Sequence, residues 1–271
     1  AGEYATTQLF YLSKDGTRVP MFLTHRADRP TDAVTPTLLF GYGSAGRIEE
    51  PIFTEEWFAW IEAGGILAVA NVRGGGEYGE EWRVAGTAAN KQNSFDDFIA
   101  AAEHLVREGY TTPEHLAISG GSAGGLLVGA VMAQRPELFA AVVPQVGVLD
   151  LLRATAFTYG PLWARWAGDP SLPEEFAWLY PLSPLHALRD GSCYPSTLIT
   201  TSVNDDRVHP SQSYKFAARL QNAQGCARPA LLRAYPTGGH SGLSDPDDAH
   251  RRSADLLAFL AEHTGLMVPR R

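Results

Sequence analysis

The chain opens on two runs in which apolar and polar residues alternate, QLFYLS and TRVPMFLTH, joined across Asp15-Gly16. Period-two alternation around an Asp-Gly dipeptide predicts an antiparallel β-hairpin. The pattern then changes. Short continuous apolar runs at 37–40, 66–70, 116–119, 141–143, 197–201 and 230–234 read as strands buried on both faces. Segments of helical period lie between and after them, at 55–63, 94–108, 123–133, 211–223 and 249–262. A hairpin followed by repeated strand and helix units predicts an α/β fold, an eight-stranded, mostly parallel sheet with helices on both faces. In such sheets chemistry gathers at the carboxyl ends of the strands.

Composition narrows the classes of function. Of 271 residues, 45% are hydrophobic and 19% charged, and no repeat, low-complexity tract or Pro/Ser linker interrupts them, which predicts one domain over 1–271. The net charge is −8 with no basic run beyond Arg270-Arg271, so nucleic acid and membrane surfaces are poor partners. No window of about 18 apolar residues occurs, and no membrane span is predicted. The start, AGEYATTQ, lacks both Met and a basic-then-apolar leader, and reads as a processed or trimmed end. Two cysteines, Cys193 and Cys226, lack the C-x-x-C spacing of zinc or redox sites.

The richest chemistry follows the run at 116–119. Gly120-Gly121-Ser122-Ala123-Gly124 fits G-x-S-x-G between a strand and a helix of small residues. A tight strand-to-helix turn forces its serine into strained backbone and needs small neighbours, so that Oγ stands clear as a nucleophile. A phosphate loop would need Lys and then Ser or Thr after the last glycine, and Leu126 stands there. A second cluster, GYGSAG at 41–46, fits the dinucleotide pattern G-x-G-x-x-G, but Pro51 falls where the dinucleotide helix would run. In a serine hydrolase this loop instead supplies one donor of the oxyanion hole, here Tyr42, the other being the N–H of Ala123.

Serine at neutral pH is a weak nucleophile and requires a base with an orienting carboxylate, in the chain order Ser, Asp, His. Asp205 and Asp206 both follow the strand at 197–201, and the one not used is expected to pair with Arg207 or cap the next helix. His240 is a histidine in a glycine-flanked loop directly after a strand; position alone leaves His209 and His263 open. RGGGEYGEEW at 73–82 reads as a loop scaffold. SDPDDAH at 244–250 reads as an acidic helix start in preference to a calcium loop.

The stretches GYGSAG, GGILAVANVRGGGEYGEEW, NKQNSFDDFIAAAEHLVREGYT, ISGGSAGGLLVGAVMAQRPELFAAVVPQVGVLDLL and NDDRVHPSQSYKFAARLQ together resemble the catalytic domain of the prolyl oligopeptidase family, over about 8–240. The resemblance implies an α/β hydrolase domain, capped in the family by a β-propeller that limits entry to short peptides. It implies Ser122 as nucleophile, Asp205 as orienting acid, His240 as general base, and Tyr42 with Ala123 as the oxyanion hole. Arg207 matches an arginine that binds a substrate carbonyl, Trp163 a tryptophan that stacks on proline, and Val148 and Val208 apolar pocket walls. No metal or organic cofactor is implied.

Two departures stand out. Ala45 replaces a pocket phenylalanine and Ala167 a pocket tyrosine, which predicts a wider and less proline-selective pocket. The family's propeller has no counterpart in these residues, so the chain reads as an isolated catalytic portion. Cys193 and Cys226 each lie just before one of two strands expected to be parallel neighbours, within bridging reach. A bridge there would favour a periplasmic or secreted location over the cytoplasm. The function expected is hydrolysis of short peptides, on the carboxyl side of proline; a broader peptidase or esterase, or an inactive domain, are the alternatives.

Overall fold

A computed structural model describes residues 3–29, 35–52, 54–157, 159–242 and 246–267. The hairpin is present as β1 (Tyr4–Leu12) and β2 (Arg18–Arg26). Asp15 accepts from the Thr17 N–H at 3.0 Å, and Gly16 takes the left-handed conformation the turn requires. Six further strands follow: β3 (Thr37–Gly41), β4 (Ile66–Ala70), β5 (Leu116–Gly121), β6 (Ala141–Gln145), β7 (Ser196–Ser202) and β8 (Ala230–Tyr235). They form one eight-stranded sheet in the order β1-β2-β4-β3-β5-β6-β7-β8, antiparallel only where β1 meets β2 and β2 meets β4. This is the predicted α/β hydrolase architecture.

Alternation along each strand divides the core. In β4, Ile66, Ala68 and Ala70 face one apolar cluster while Leu67 and Val69 face the other. The first cluster is closed by α3 (Lys91–Arg107), α4 (Ala123–Gln134) and α8 (Ser211–Ala223), the second by α1 (Glu55–Glu62) and α9 (Pro246–Thr264). Helices therefore cover both faces from β3 to β7, which explains why those strands read as apolar runs, whereas β8, expected to be buried on both faces, is largely exposed because it lies at the edge of the sheet. Thr54 caps α1 by accepting from the Trp57 N–H at 3.2 Å.

Four shorter helices carry no counterpart among the predicted elements: α2 (Glu80–Val84), α5 (Gly160–Ala167), α6 (Pro173–Leu182) and α7 (Pro184–Ala187). Among the described residues no helix is long and apolar enough to cross a membrane. Cys193 and Cys226 are joined in a disulfide just ahead of β7 and β8, beside a parallel bridge between Ser192 and Gln224.

RGGGEYGEEW is indeed scaffold. Buried Arg73 donates to Asp97 of α3 from Nη2 at 2.6 Å and to Asp15 of the hairpin turn from Nη1 at 2.6 Å, tying three elements together. Of SDPDDAH, residues 244–245 lie outside the described residues; Asp248 accepts from Thr237 at 2.7 Å and pairs with Arg251.

Candidate active site

β5 ends at Gly121 and α4 starts at Ala123, so Ser122 alone makes the turn, at φ 58° and ψ −115°. That is left-handed backbone for a non-glycine residue, a conformation a protein retains only when its surroundings hold it. Here the Ser122 N–H donates to the Gln145 carbonyl at 2.8 Å and its own carbonyl accepts from Leu126 at 3.1 Å. The turn has no room for a side chain at Gly120 or Gly124. A Cβ on Gly120 would come within 2.5 Å of the Gly124 carbonyl oxygen, and one on Gly124 within 2.7 Å of the Gly41 oxygen. As the first residue of α4, Ala123 presents a backbone N–H with no acceptor inside the helix. The positive end of the helix dipole points the same way.

The 41–46 loop lies against this turn. Tyr42, half-buried, lines the same clefts as Ser122, and the Arg47 guanidinium sits 4.8 Å over its ring. Beneath the loop, buried Lys91 donates from Nζ to the Gly43 carbonyl and, at 3.3 Å, to Ser94 Oγ. Burial pulls the Lys91 ammonium down to about 7.

Between the two aspartates the structure discriminates sharply. Asp205 is buried and its carboxylate takes His240 Nδ1 at 2.8 Å to Oδ2 and 3.0 Å to Oδ1. Oδ1 also accepts the backbone N–H groups of Arg207 at 3.0 Å and Val208 at 2.8 Å, which fixes the carboxylate's plane. Asp206 is exposed. Contrary to expectation it neither ion-pairs with Arg207 nor caps α8, whose N-cap is Pro210, because the turn at 203–207 directs it toward Gly239. His209 is exposed and stacked on Phe157 at 4.4 Å, and His263 packs edge-on against Phe259 on α9. Neither lines a cleft with Ser122, whereas His240 does.

Two clefts meet at Ser122. One, of about 230 Å³, is lined by Trp163 and Trp166 of α5, Ala45, Tyr42 and Arg207. It runs on past Ala45 into a narrower apolar recess that reaches Ala167 and Trp178. Val148 and Val208, expected as pocket walls, are 1% and 4% exposed and belong to the core. Neither lines this cleft. The Val148 N–H points at the Ser122 carbonyl, so the residue supports the turn from beneath.

The second cleft, of about 320 Å³, lies on the His240 side and is lined by Ser122, Tyr42, Gln145, Arg47, Arg207 and Arg252 among others. Arg47, Arg252 and Lys91 have no fixed spacing to the serine motif, so the sequence does not mark them as site residues. Lys91 did leave a trace: it shares the helical stripe of Phe95, Phe98, Ala102 and Leu105, where a charge is out of place.

Comparison with known proteins places these observations. Residues 52–267 match the model of the prolyl oligopeptidase family. A prolyl endopeptidase from Elizabethkingia meningoseptica is 44% identical over 264 residues, which take in 97% of this chain and 37% of that relative's length. Among solved structures, one from a study of two prolyl endopeptidases superposes with a TM-score of 0.96 at 47% identity, over 98% of this chain and 39% of the other. Prolyl oligopeptidase B from Galerina marginata superposes with a TM-score of 0.94 at 40% identity, over 98% and 38%. The chain thus spans little more than a third of the relatives it matches.

Proposed function

The chain belongs to the prolyl oligopeptidase family, and on that premise we propose that it hydrolyses short peptides through a serine acyl-enzyme. The observation that carries this reading is the pairing of a strained Ser122 at a helix N-terminus with a cleft-lining His240 whose Nδ1 is fixed by buried Asp205. His240 takes the proton from Ser122 Oγ as it attacks the peptide carbonyl. Asp205 holds the imidazole in the tautomer that leaves Nε2 free and stabilises the imidazolium. Tyr42 O–H and the Ala123 N–H receive the oxyanion, where fixed donors contribute most. His240 then returns its proton to the departing amine, and water repeats the cycle on the acyl-enzyme.

Trp163 offers a flat apolar face for proline, and Arg207 holds a carbonyl of the acyl part. Ala45 and Ala167 favour a second reading, a peptidase or esterase of broader specificity, because they leave the pocket open where large side chains would close it. In the whole protein a β-propeller over the strand ends would restrict entry to short peptides. The closed disulfide supports a periplasmic or secreted location.

Diisopropyl fluorophosphate should label Ser122 stoichiometrically, and Ser122→Ala should abolish both label and turnover. Parallel substrates with proline or alanine on the acyl side of the scissile bond then separate the two readings. Equal kcat/KM for both removes the proline claim, and absence of any label on Ser122 removes the hydrolase claim.

A further inference from the structure

The cleft on the His240 side of Ser122 is lined by three arginines, Arg47, Arg207 and Arg252, and by no carboxylate. On a chain of net charge −8 this is a local reversal of sign at the reacting centre. The three cations differ in how they are matched. Arg47 has Nε 2.6 Å from Glu49. Arg252, half-buried on α9, donates from Nη2 at 2.7 Å to Gln145 Oε1, a neutral acceptor that is itself held by its amide to Ser119 Oγ at 3.1 Å. The carboxylate that feels its charge, Glu56, accepts from Ser253 Oγ at 3.2 Å. Among the described residues neither Arg207 nor Arg252 has a carboxylate within ion-pair distance.

The side on which this charge lies decides what it meets. In acyl transfer the base hands its proton to the leaving nitrogen, so the departing part of the substrate lies beside the histidine. His240 lines the arginine cleft and not the Trp163 cleft, which is left for the acyl part. We propose that the arginine cleft is a subsite for the leaving group and selects one that carries a carboxylate close to the scissile bond. That carboxylate is either the free C-terminus of a short peptide or an Asp or Glu side chain. The fixed fork of a guanidinium matches a carboxylate in two parallel hydrogen bonds, and Arg252 is already oriented by Gln145.

This subsite rests on the hydrolase reading, and its test is arranged so that the two fail separately. Binding is measured by calorimetry on the Ser122→Ala chain, at low salt, with three peptides: Gly-Pro-Ala with a free carboxylate, Gly-Pro-Ala amide, and Gly-Pro-Asp amide. At least one carboxylate peptide should bind about tenfold tighter than the neutral amide. Preference for the free acid alone identifies the C-terminus as the ligand; preference for both identifies a carboxylate of either source. Arg252→Gln should erase the difference, and Arg47→Gln, an exposed position, should reduce it. With Ser122 intact, the same two variants should lower the ratio of kcat/KM for acid over amide. Equal binding of all three peptides, or a ratio that neither variant moves, overturns the proposal. Failure of the fluorophosphate label would instead overturn the hydrolase reading while the binding arm still reported on the cleft.

Discussion

Ser122 is held at positive φ by what surrounds it, and the strain of about 1–3 kcal/mol is stored where the reaction needs an exposed oxygen. The neighbouring glycines differ in why they are there. Gly124 is pressed to the backbone of the Tyr42 loop, with a Cβ position 2.7 Å from the Gly41 oxygen, while the nearest atom to a Cβ on Gly121 is 3.8 Å away. Gly124→Ala should therefore lower the melting temperature more than Gly121→Ala and displace Tyr42, reducing kcat by tenfold or more. Thermal melts and steady-state kinetics of the pair check this; equal melts would mean that the contact yields. Asp205 gives a second test at this scale. Asp205→Asn keeps the shape but reverses the hydrogen-bond preference at His240 Nδ1, and kcat should fall by about 10³–10⁴ with the fold intact by circular dichroism.

At the scale of elements, α3 acts as a bracket beneath the loops that follow β3 and β4. Lys91 holds the Gly43 carbonyl, Ser94 Oγ donates to the Arg73 carbonyl at 2.5 Å, and fully buried Asp97 pairs with Arg73. Asp97→Asn would leave buried Arg73 with Asp15, on the exposed hairpin turn, as its remaining carboxylate partner, at a cost of up to about 3 kcal/mol in urea unfolding. Lys91 makes stability depend on pH. Its native pKa of about 7 lies below the ordinary lysine value of 10.5 because burial disfavours the ammonium, against the pull of Asp97. Between these values the unfolded chain holds a proton that the native chain lacks. The contribution of Lys91 is thus complete above 10.5, and is lost as pH falls through about 7. Replacing Lys91 by Met should flatten the rise of unfolding free energy across that window by up to about 1.4 kcal/mol per pH unit, read from urea titrations at stepped pH. Identical slopes would show that Lys91 keeps its charge in the native state.

The same scale shows what the sequence could disclose. The five strands covered on both faces, β3 to β7, announce themselves as apolar runs and the hairpin by its alternation; β8, largely exposed at the sheet edge, was read from a run of the same kind, and all eight are found within a few residues of their predicted places. The helices α5 and α6 went unread because their apolar residues do not form a buried stripe. Trp166 is 40% exposed, Phe176 42% and Tyr180 47%, and Pro181 lies inside α6 where a proline signals a break. Ser122, Asp205 and His240 were legible since each follows a strand end. Arg252 was not, because its place in the cleft depends on how α9 crosses the sheet.

Over the whole molecule, the site is assembled from distant parts of one sheet edge. Asp205 follows β7, and the His240 loop follows β8, which pairs with β7. The Cys193–Cys226 disulfide closes the opposite end of the same pair, so it secures the edge strand without touching the reacting groups. Its 33-residue loop should contribute about 3–4 kcal/mol by restricting the unfolded chain. For a domain of this size that corresponds to a drop of roughly 10 °C in melting temperature on reduction. Register is continuous from Thr197↔Ala230 to Ser202↔Tyr235, and those paired residues separate the bridge from Asp205 and His240. Pairing along their whole length should preserve the geometry at the far end while the native state persists. The Cys193→Ser, Cys226→Ser double variant should therefore melt lower yet keep kcat at 25 °C close to that of the oxidised chain. Scanning calorimetry beside kinetics, with dithiothreitol as a second route to the open form, separates the outcomes. A loss of kcat at 25 °C would mean that β8 shifts on β7 once the bridge opens, and that the oxidation state of this pair gates the histidine.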